Sequence, residues 1–169
     1  ISDLDRQVYQ THNLVIAQHP SETNERMMVR LLAFALNVPS DEVRGPLELA
    51  KDMWEPDEPA LWQKDLTGKF FHWIEVGQPE EKRITRACGR SEKVSVYSFG
   101  THTWWAGIKN RLTRCENLSV WQIPPADAEA MAALTARTMI LQVTVQDGAV
   151  YIGDGARSIE VTPERLFGG

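Results

Sequence analysis

The sequence predicts a single α/β domain over residues 1–169, with a mixed central sheet flanked by helices and a C-terminal antiparallel meander. Three observations carry this. Helical and extended patterns interleave along the chain. The last extended segments are joined by Asp147-Gly148 and Asp154-Gly155, which are too short for crossovers. The length of 169 residues, 43% apolar and 24% charged, suits one self-sufficient core.

Taken in order, Leu14 to Ile16 predicts a strand ending at His19-Pro20. Ser21 is then read as the N-cap of a helix running to about Leu36. Residues 37–56, with Pro39, Gly45 and Pro46, read as loop with a short helical turn at 47–53. Two strands, about 59–64 and 69–76, flank Asp65-Leu66-Thr67-Gly68, a hairpin turn with glycine in the left-handed position. Pro79, Glu80 and Glu81 open a helix that Gly89 closes. Val94 to Phe99 reads as a strand. Thr101 caps a helix with the stripe Trp104, Trp105, Ile108 and Leu112. A strand over 118–123 follows, then a helix from Pro124-Pro125 to about Arg137. Strands over 139–145, 149–152 and 158–161 complete the chain.

Composition removes several classes. No apolar run reaches the roughly 18 residues of a membrane span. Cys88 and Cys115 have no metal or disulfide spacing, which suits a reduced, cytosolic setting. His12, His19, His72 and His102 show no metal spacing, and there is no P-loop, dinucleotide fingerprint or serine-nucleophile elbow. The net charge is −5, yet residues 82–114 hold Lys82, Arg83, Arg86, Arg90, Lys93, Lys109, Arg111 and Arg114 against Glu92 alone. Such a block is a candidate phosphate-binding surface, or a solvated face that balances acids elsewhere. Trp62, Trp104 and Trp105 could stack bases, although their spacing also suits a core.

The chemistry points to carboxylates. Glu25 falls in line with Met28, Val29, Leu32 and Leu36 on the helical wheel, with Glu22 at the edge of that stripe. Glu75 ends the apolar run Phe70-Phe71-His72-Trp73-Ile74, where open α/β sheets place their sites. If Asp65 pairs with Lys69, residue 59 faces Glu75, bringing Asp57 and Glu58 close. Carboxylates gathered this way repel unless a cation joins them, and oxygen ligands favour Mg²⁺ or Mn²⁺. The expected metal ligands are Asp57 and Glu75, with Glu25 or Glu22 as auxiliary.

Pro56-Asp57 and Glu75, behind a helix glutamate, resemble the PD-(D/E)xK nuclease superfamily. The resemblance implies a lysine two residues past the glutamate, and position 77 is glycine. Gln78, Lys82, Arg83 or Arg86 would have to replace it. Longer segments are similar to the YaeQ family. They are His19-Pro20-Ser21-Glu22-Thr23 running into Glu25-Arg26-Met27-Met28-Val29-Arg30, Trp73-Ile74-Glu75-Val76-Gly77-Gln78-Pro79, Asn117-Leu118-Ser119-Val120-Trp121 and Gln146-Asp147-Gly148. This likeness covers nearly the whole chain. It implies a restriction-endonuclease-like fold, a bacterial, cytoplasmic setting and a short strand before Ile1, but no settled activity. Two functions follow as expectations. One is a Mg²⁺- or Mn²⁺-dependent phosphodiesterase in which Asp57 and Glu75 hold the metal and Gln78, Lys82 or Arg83 positions water or phosphate. The other is a non-catalytic module on the same fold that binds nucleic acid or a protein partner through the basic segment.

Overall fold

The computed structural model describes residues 1–168. A six-stranded mixed sheet forms the centre, in the order β11-β7-β6-β5-β4-β3. Its strands are β3 (Leu47–Leu49), β4 (Leu61–Lys64), β5 (Phe70–Val76), β6 (Ser91–Ser98), β7 (Leu118–Gln122) and β11 (Glu164–Phe167). β5, β6 and β7 run parallel, because α2 (Glu81–Arg90) and α3 (Thr103–Ile108) supply the crossovers between them. β3, β4 and β11 are antiparallel additions. A second sheet has the order β10-β9-β8-β1-β2, made of β1 (Ser2–Asp3), β2 (Val8–Tyr9), β8 (Gln142–Gln146), β9 (Ala149–Gly153) and β10 (Ser158–Val161). β8, β9 and β10 form the expected antiparallel meander.

Each face of the central sheet is covered. On one face α1 (Asn24–Asn37) and α4 (Pro125–Ala132) pack between the two sheets; Met28, Val29, Leu32, Ile74, Met131, Val145 and Ile152 share that core. On the other face Ile84 and Ala87 of α2 join Trp73, Val94, Val96, Trp105, Leu112 and Leu118. The mostly apolar run of β5 is explained by this double coverage.

Several expectations are corrected. Leu14 to Ile16 is irregular, not a strand, and Val15 stands in solvent. α1 starts at Asn24 with Thr23 as its cap, whose Oγ1 accepts from the Arg26 N–H at 3.2 Å. Ser21 lies before the cap. The stretch 47–53 holds β3 and then a 3₁₀ turn, Asp52–Trp54, rather than one helical turn. α2 runs through Gly89 into β6. α3 is short and passes into a 3₁₀ turn at Lys109–Arg111, and α4 ends at Ala132 rather than near Arg137. β1, β2 and β11 were not expected; two-residue strands carry no periodicity to read.

The β4–β5 hairpin closes as Asp65 and Gly68 demand. Gly68 has φ +85°, and the Asp65 N–H donates to the Lys69 carbonyl at 3.1 Å. Beyond the turn a bulge at Phe71 shifts the register. Lys64 faces Phe70, but Gln63 faces His72 and Leu61 faces Ile74. The extra residue moves the partner of Glu75 from residue 59 to the neighbourhood of Ala60, whose N–H donates to the Ile74 carbonyl at 3.1 Å.

Candidate functional site at the sheet edge

Glu75 lies one residue from the C-terminal end of β5 and is 6% exposed. Trp73, two residues earlier on the same face, donates its indole N–H to Glu75 Oε1 at 2.8 Å. Arg83 of α2 donates Nε–H to the same oxygen at 2.9 Å. Burial raises the Glu75 pKa above the usual carboxylate range; Arg83 and Trp73 oppose this, and the charge of Asp52 adds to it. The rest of the Arg83 guanidinium holds the preceding loop, donating to the Pro56 carbonyl and, at 2.8 Å, to the Glu58 carbonyl. One arginine thus fixes both the glutamate and the backbone around Asp57. The Asp57 carboxylate itself is exposed.

A second cluster forms where α1 meets the same edge. Glu22, 7% exposed, accepts from Arg26 at 2.5 Å, from Arg30 Nε at 2.8 Å and from an Arg30 Nη. Arg26 also grips Asp52 with two bonds of 2.6 and 2.9 Å, and donates to the Val76 carbonyl at 3.1 Å. Arg30 Nε lies 3.5 Å from the Asp52 carboxylate. Burial would lower the Arg26 pKa, but Asp52 and Glu22 outweigh it and raise the value. Asp52 adopts φ +56°, a backbone state that aspartate tolerates and most residues avoid. Glu22, Arg26 and Arg30 are spaced four residues apart, so they stand in one row although Glu22 precedes the helix.

The expected auxiliary ligands exchange places. Glu25 is half-buried, and no hydrogen bond or ion pair of its side chain is found among the described residues, whereas Glu22 is the enclosed one. The shift of the cap from Ser21 to Thr23 explains this: Glu22 lies outside the helix and is free to fold back over Arg26 and Arg30. Gln78 is exposed and donates to the Thr101 carbonyl at 3.1 Å, toward the end of β6. Lys82 is exposed and unpaired among the described residues. Asp52, Arg26 and Arg30 are the residues that sequence reasoning missed; the regular 22/26/30 spacing was their one available signal.

Position 77 has a local explanation for its missing lysine. Gly77 has φ +109°, and a Cβ built there lies 4.0 Å from Arg26 Nε. There is room for a side chain but not a relaxed backbone for one. Arg26, arriving from α1, brings a cation to that spot instead.

The carboxylates of this edge are met by arginines. Among the described residues no three His, Cys, Asp or Glu side chains gather for a metal. Glu22, Asp52 and Glu75 each already have an arginine. The repulsion expected of clustered carboxylates is relieved by guanidinium groups. Other nucleophile candidates are closed off. His72 is buried against Ser95 Oγ at 2.7 Å, and burial, then Lys93, drives its pKa down to about 3. Burial and then the Cys115 thiol push Cys88 up to about 12, away from thiolate reactivity.

Fold and site together define a two-sheet α/β protein whose central sheet ends in buried carboxylates neutralised by arginine. The family model described as "YaeQ protein" matches residues 1–163. The chain belongs to the YaeQ family. It is 35% identical to "Uncharacterized protein YaeQ" of Escherichia coli (strain K12) over 164 residues, 95% of this chain and 88% of that protein. The Salmonella typhi protein of the same name is 34% identical over the same shares. Among solved structures, the YaeQ protein from Xanthomonas axonopodis pv. citri superposes with a TM-score of 0.92 at 42% identity, covering 99% of this chain and 94% of that one. The YaeQ protein from Pseudomonas syringae gives 0.92 at 35% identity, with 99% and 92% covered. Among the described residues no helix is long and apolar enough to cross a membrane.

Proposed function

We propose that the protein is a non-catalytic nucleic-acid-binding module on a restriction-endonuclease-like fold. One observation carries this reading. Lys82, Arg86 and Arg90 of α2 and Lys109, Arg111 and Arg114 after α3 are all exposed on the layer that covers one face of the central sheet. α2 and α3 share a core there through Ile84, Ala87, Trp105 and Leu112. None of these six cations makes a salt bridge among the described residues; Arg90 instead lies over the Trp73 ring at 5.1 Å. A layer of unpaired cations on an acidic protein is what phosphate binding needs. Two members of the sequence block fall outside it. Arg83 is spent on Glu75, and Lys93, one residue before the core residue Val94, projects from β6 to the opposite face.

Each phosphate neutralised releases counterions, so six contacts give a log–log salt slope of about −4 for a single strand. Anisotropy of a labelled oligonucleotide at several salt concentrations measures this. Arg86→Glu/Arg111→Glu should weaken binding and flatten the slope. No binding at low salt, or binding indifferent to salt, would refute the module.

A second reading, a Mg²⁺- or Mn²⁺-dependent phosphodiesterase, draws on Glu75 Oε2, which accepts no hydrogen bond among the described residues, and on the hold of Arg83 on the Asp57 loop. It requires a guanidinium to give way to the cation. Metal-dependent cleavage of DNA or RNA, lost in Glu75→Gln and Asp57→Asn, would establish it in place of the first.

A further inference from the structure

Among the tryptophans of the described residues Trp54 is the exposed one. Trp62 packs against Phe70 and Trp73, Trp105 is buried, and Trp104 is half-buried with its indole N–H on the Pro79 carbonyl. None of these is a free stacking surface. Trp54 is 55% exposed, with His19 against it, ring centroids 4.7 Å apart and the rings at 61°.

The buried ion network fixes both rings. Trp54 lies two residues after Asp52, in the 3₁₀ turn that begins with the positive φ of Asp52. Arg26 and Arg30 hold that aspartate. His19 sits in the segment between Ala17, whose carbonyl accepts from Arg30 at 3.1 Å, and Glu22, which accepts from both arginines. The Ser21 N–H donates to His19 Nδ1 at 3.0 Å and sets the imidazole orientation. An uncommon backbone state, two buried charges (Glu22 and Arg30) and two half-buried ones (Arg26 and Asp52) therefore converge on holding an indole and an imidazole in place at the surface. An indole held in place at the surface offers a flat face on which a planar ring can stack.

We propose that Trp54, buttressed by His19, is a stacking subsite for an unpaired nucleobase, so that the nucleic acid bound is single-stranded. The inference rests on the nucleic-acid reading above. Its geometry is continuous with it. Arg83 links α2, which carries Lys82 and Arg86, to Glu75; Arg26 links Val76, the next residue, to Asp52; Trp54 is on the turn of Asp52. A strand whose phosphates lie along α2 reaches Trp54 by crossing this one sheet edge. A base in a duplex has no free face to offer an indole, whereas every unpaired base has one.

The experiment compares a short fluorescent oligothymidylate, an abasic oligomer of the same length and a duplex, at low salt. Trp54→Ala should weaken the oligothymidylate about tenfold, the range of one base–aromatic stack. Trp54→Phe should restore most of that affinity. The abasic oligomer and the duplex should bind the native chain and Trp54→Ala alike. Melting of Trp54→Ala at the native temperature confirms that the scaffold is intact, as expected for so exposed a side chain. Two failures are distinct. If Arg86→Glu/Arg111→Glu weakens oligothymidylate but Trp54→Ala does not, the stacking subsite is refuted and the nucleic-acid reading stands. If the native chain binds none of the three probes, the nucleic-acid reading falls and takes the subsite with it.

Discussion

Arg30 is the counterion that the sheet edge can least spare. It is 3% exposed, and it meets both oxygens of Glu22. Arg30→Met keeps an extended side chain and removes the charge. Glu22 then retains Arg26 alone, and Arg26 is shared with Asp52. Two carboxylates are left to one guanidinium where little water can enter. Breaking a buried ion pair from one side costs about 3–5 kcal/mol. An exposed pair would cost under about 1 kcal/mol, and the enclosure of Glu22 places this pair in the first regime. For a chain of this size each kcal/mol moves Tm by about 2–4 °C, so a fall of roughly 6–20 °C is expected. Urea and thermal unfolding at neutral pH measure it. The double variant Glu22→Met/Arg30→Met removes one charge of each sign and leaves the Arg26–Asp52 pair whole. It should recover to within about 1–2 kcal/mol of the native chain, since apolar replacement of a whole buried pair is often neutral. An Arg30→Met loss below about 1 kcal/mol, or a double variant that loses the sum of the two single ones, would refute the reasoning.

Two further outcomes follow from the same geometry. Glu75 has its pKa raised in the folded state, so its contribution favours folding below the unfolded value of 4.5 and is lost as pH rises through the folded value; His72, held down at about 3 against 6.5, contributes stability above 6.5 that is lost as pH falls toward about 3. The two oppose each other in weakly acidic solution, and unfolding measured across pH 3–7 should gain slope in Glu75→Gln and lose it in His72→Gln. Gly77→Lys should not rebuild a nuclease lysine: its φ of +109° costs a side chain about 1–3 kcal/mol, and the ammonium would enter beside Arg26. Equal stability of that variant by urea unfolding would overturn this account.

The long elements were legible because their periodicity is strong. β5, α1 and the closing meander follow from apolar runs and Asp-Gly turns. The hairpin turn was legible too, but its register was not: a bulge at Phe71 leaves no mark in a sequence whose neighbours Phe70 and Trp73 are also aromatic. The candidate site was half visible. Glu75 announces itself as the acid that ends an apolar strand. Glu22 does not, because its burial depends on the cap at Thr23 rather than Ser21, and both residue types cap well. Asp52 sits in a loop where its role is set wholly by arginines that arrive from another element. Trp54 was overlooked because exposure of a single loop tryptophan depends on what fails to cover it.

The parallel pairing of β1 with β8 has a consequence for how the chain is made. Ser2 lies opposite Thr144 and Asp3 opposite Val145, and the Asp5 carboxylate caps the β8–β9 turn through the N–H groups of Asp147 and Gly148 at 2.8 and 2.9 Å. During synthesis β1 and β2 leave the ribosome long before β8 exists. Arg6, which donates to the carbonyls of Ala35 and Val38, is the earliest tether available to that segment, since α1 is complete soon afterwards. The β1–β2 hairpin is therefore expected to rest on the end of α1 while the chain between α1 and β8 emerges, and the second sheet closes only when β8 arrives. A contact of such sequence separation is slow to form, because the intervening loop must be closed before pairing rewards it. Closure of the second sheet, rather than formation of the central one, is the step expected to set the pace of folding.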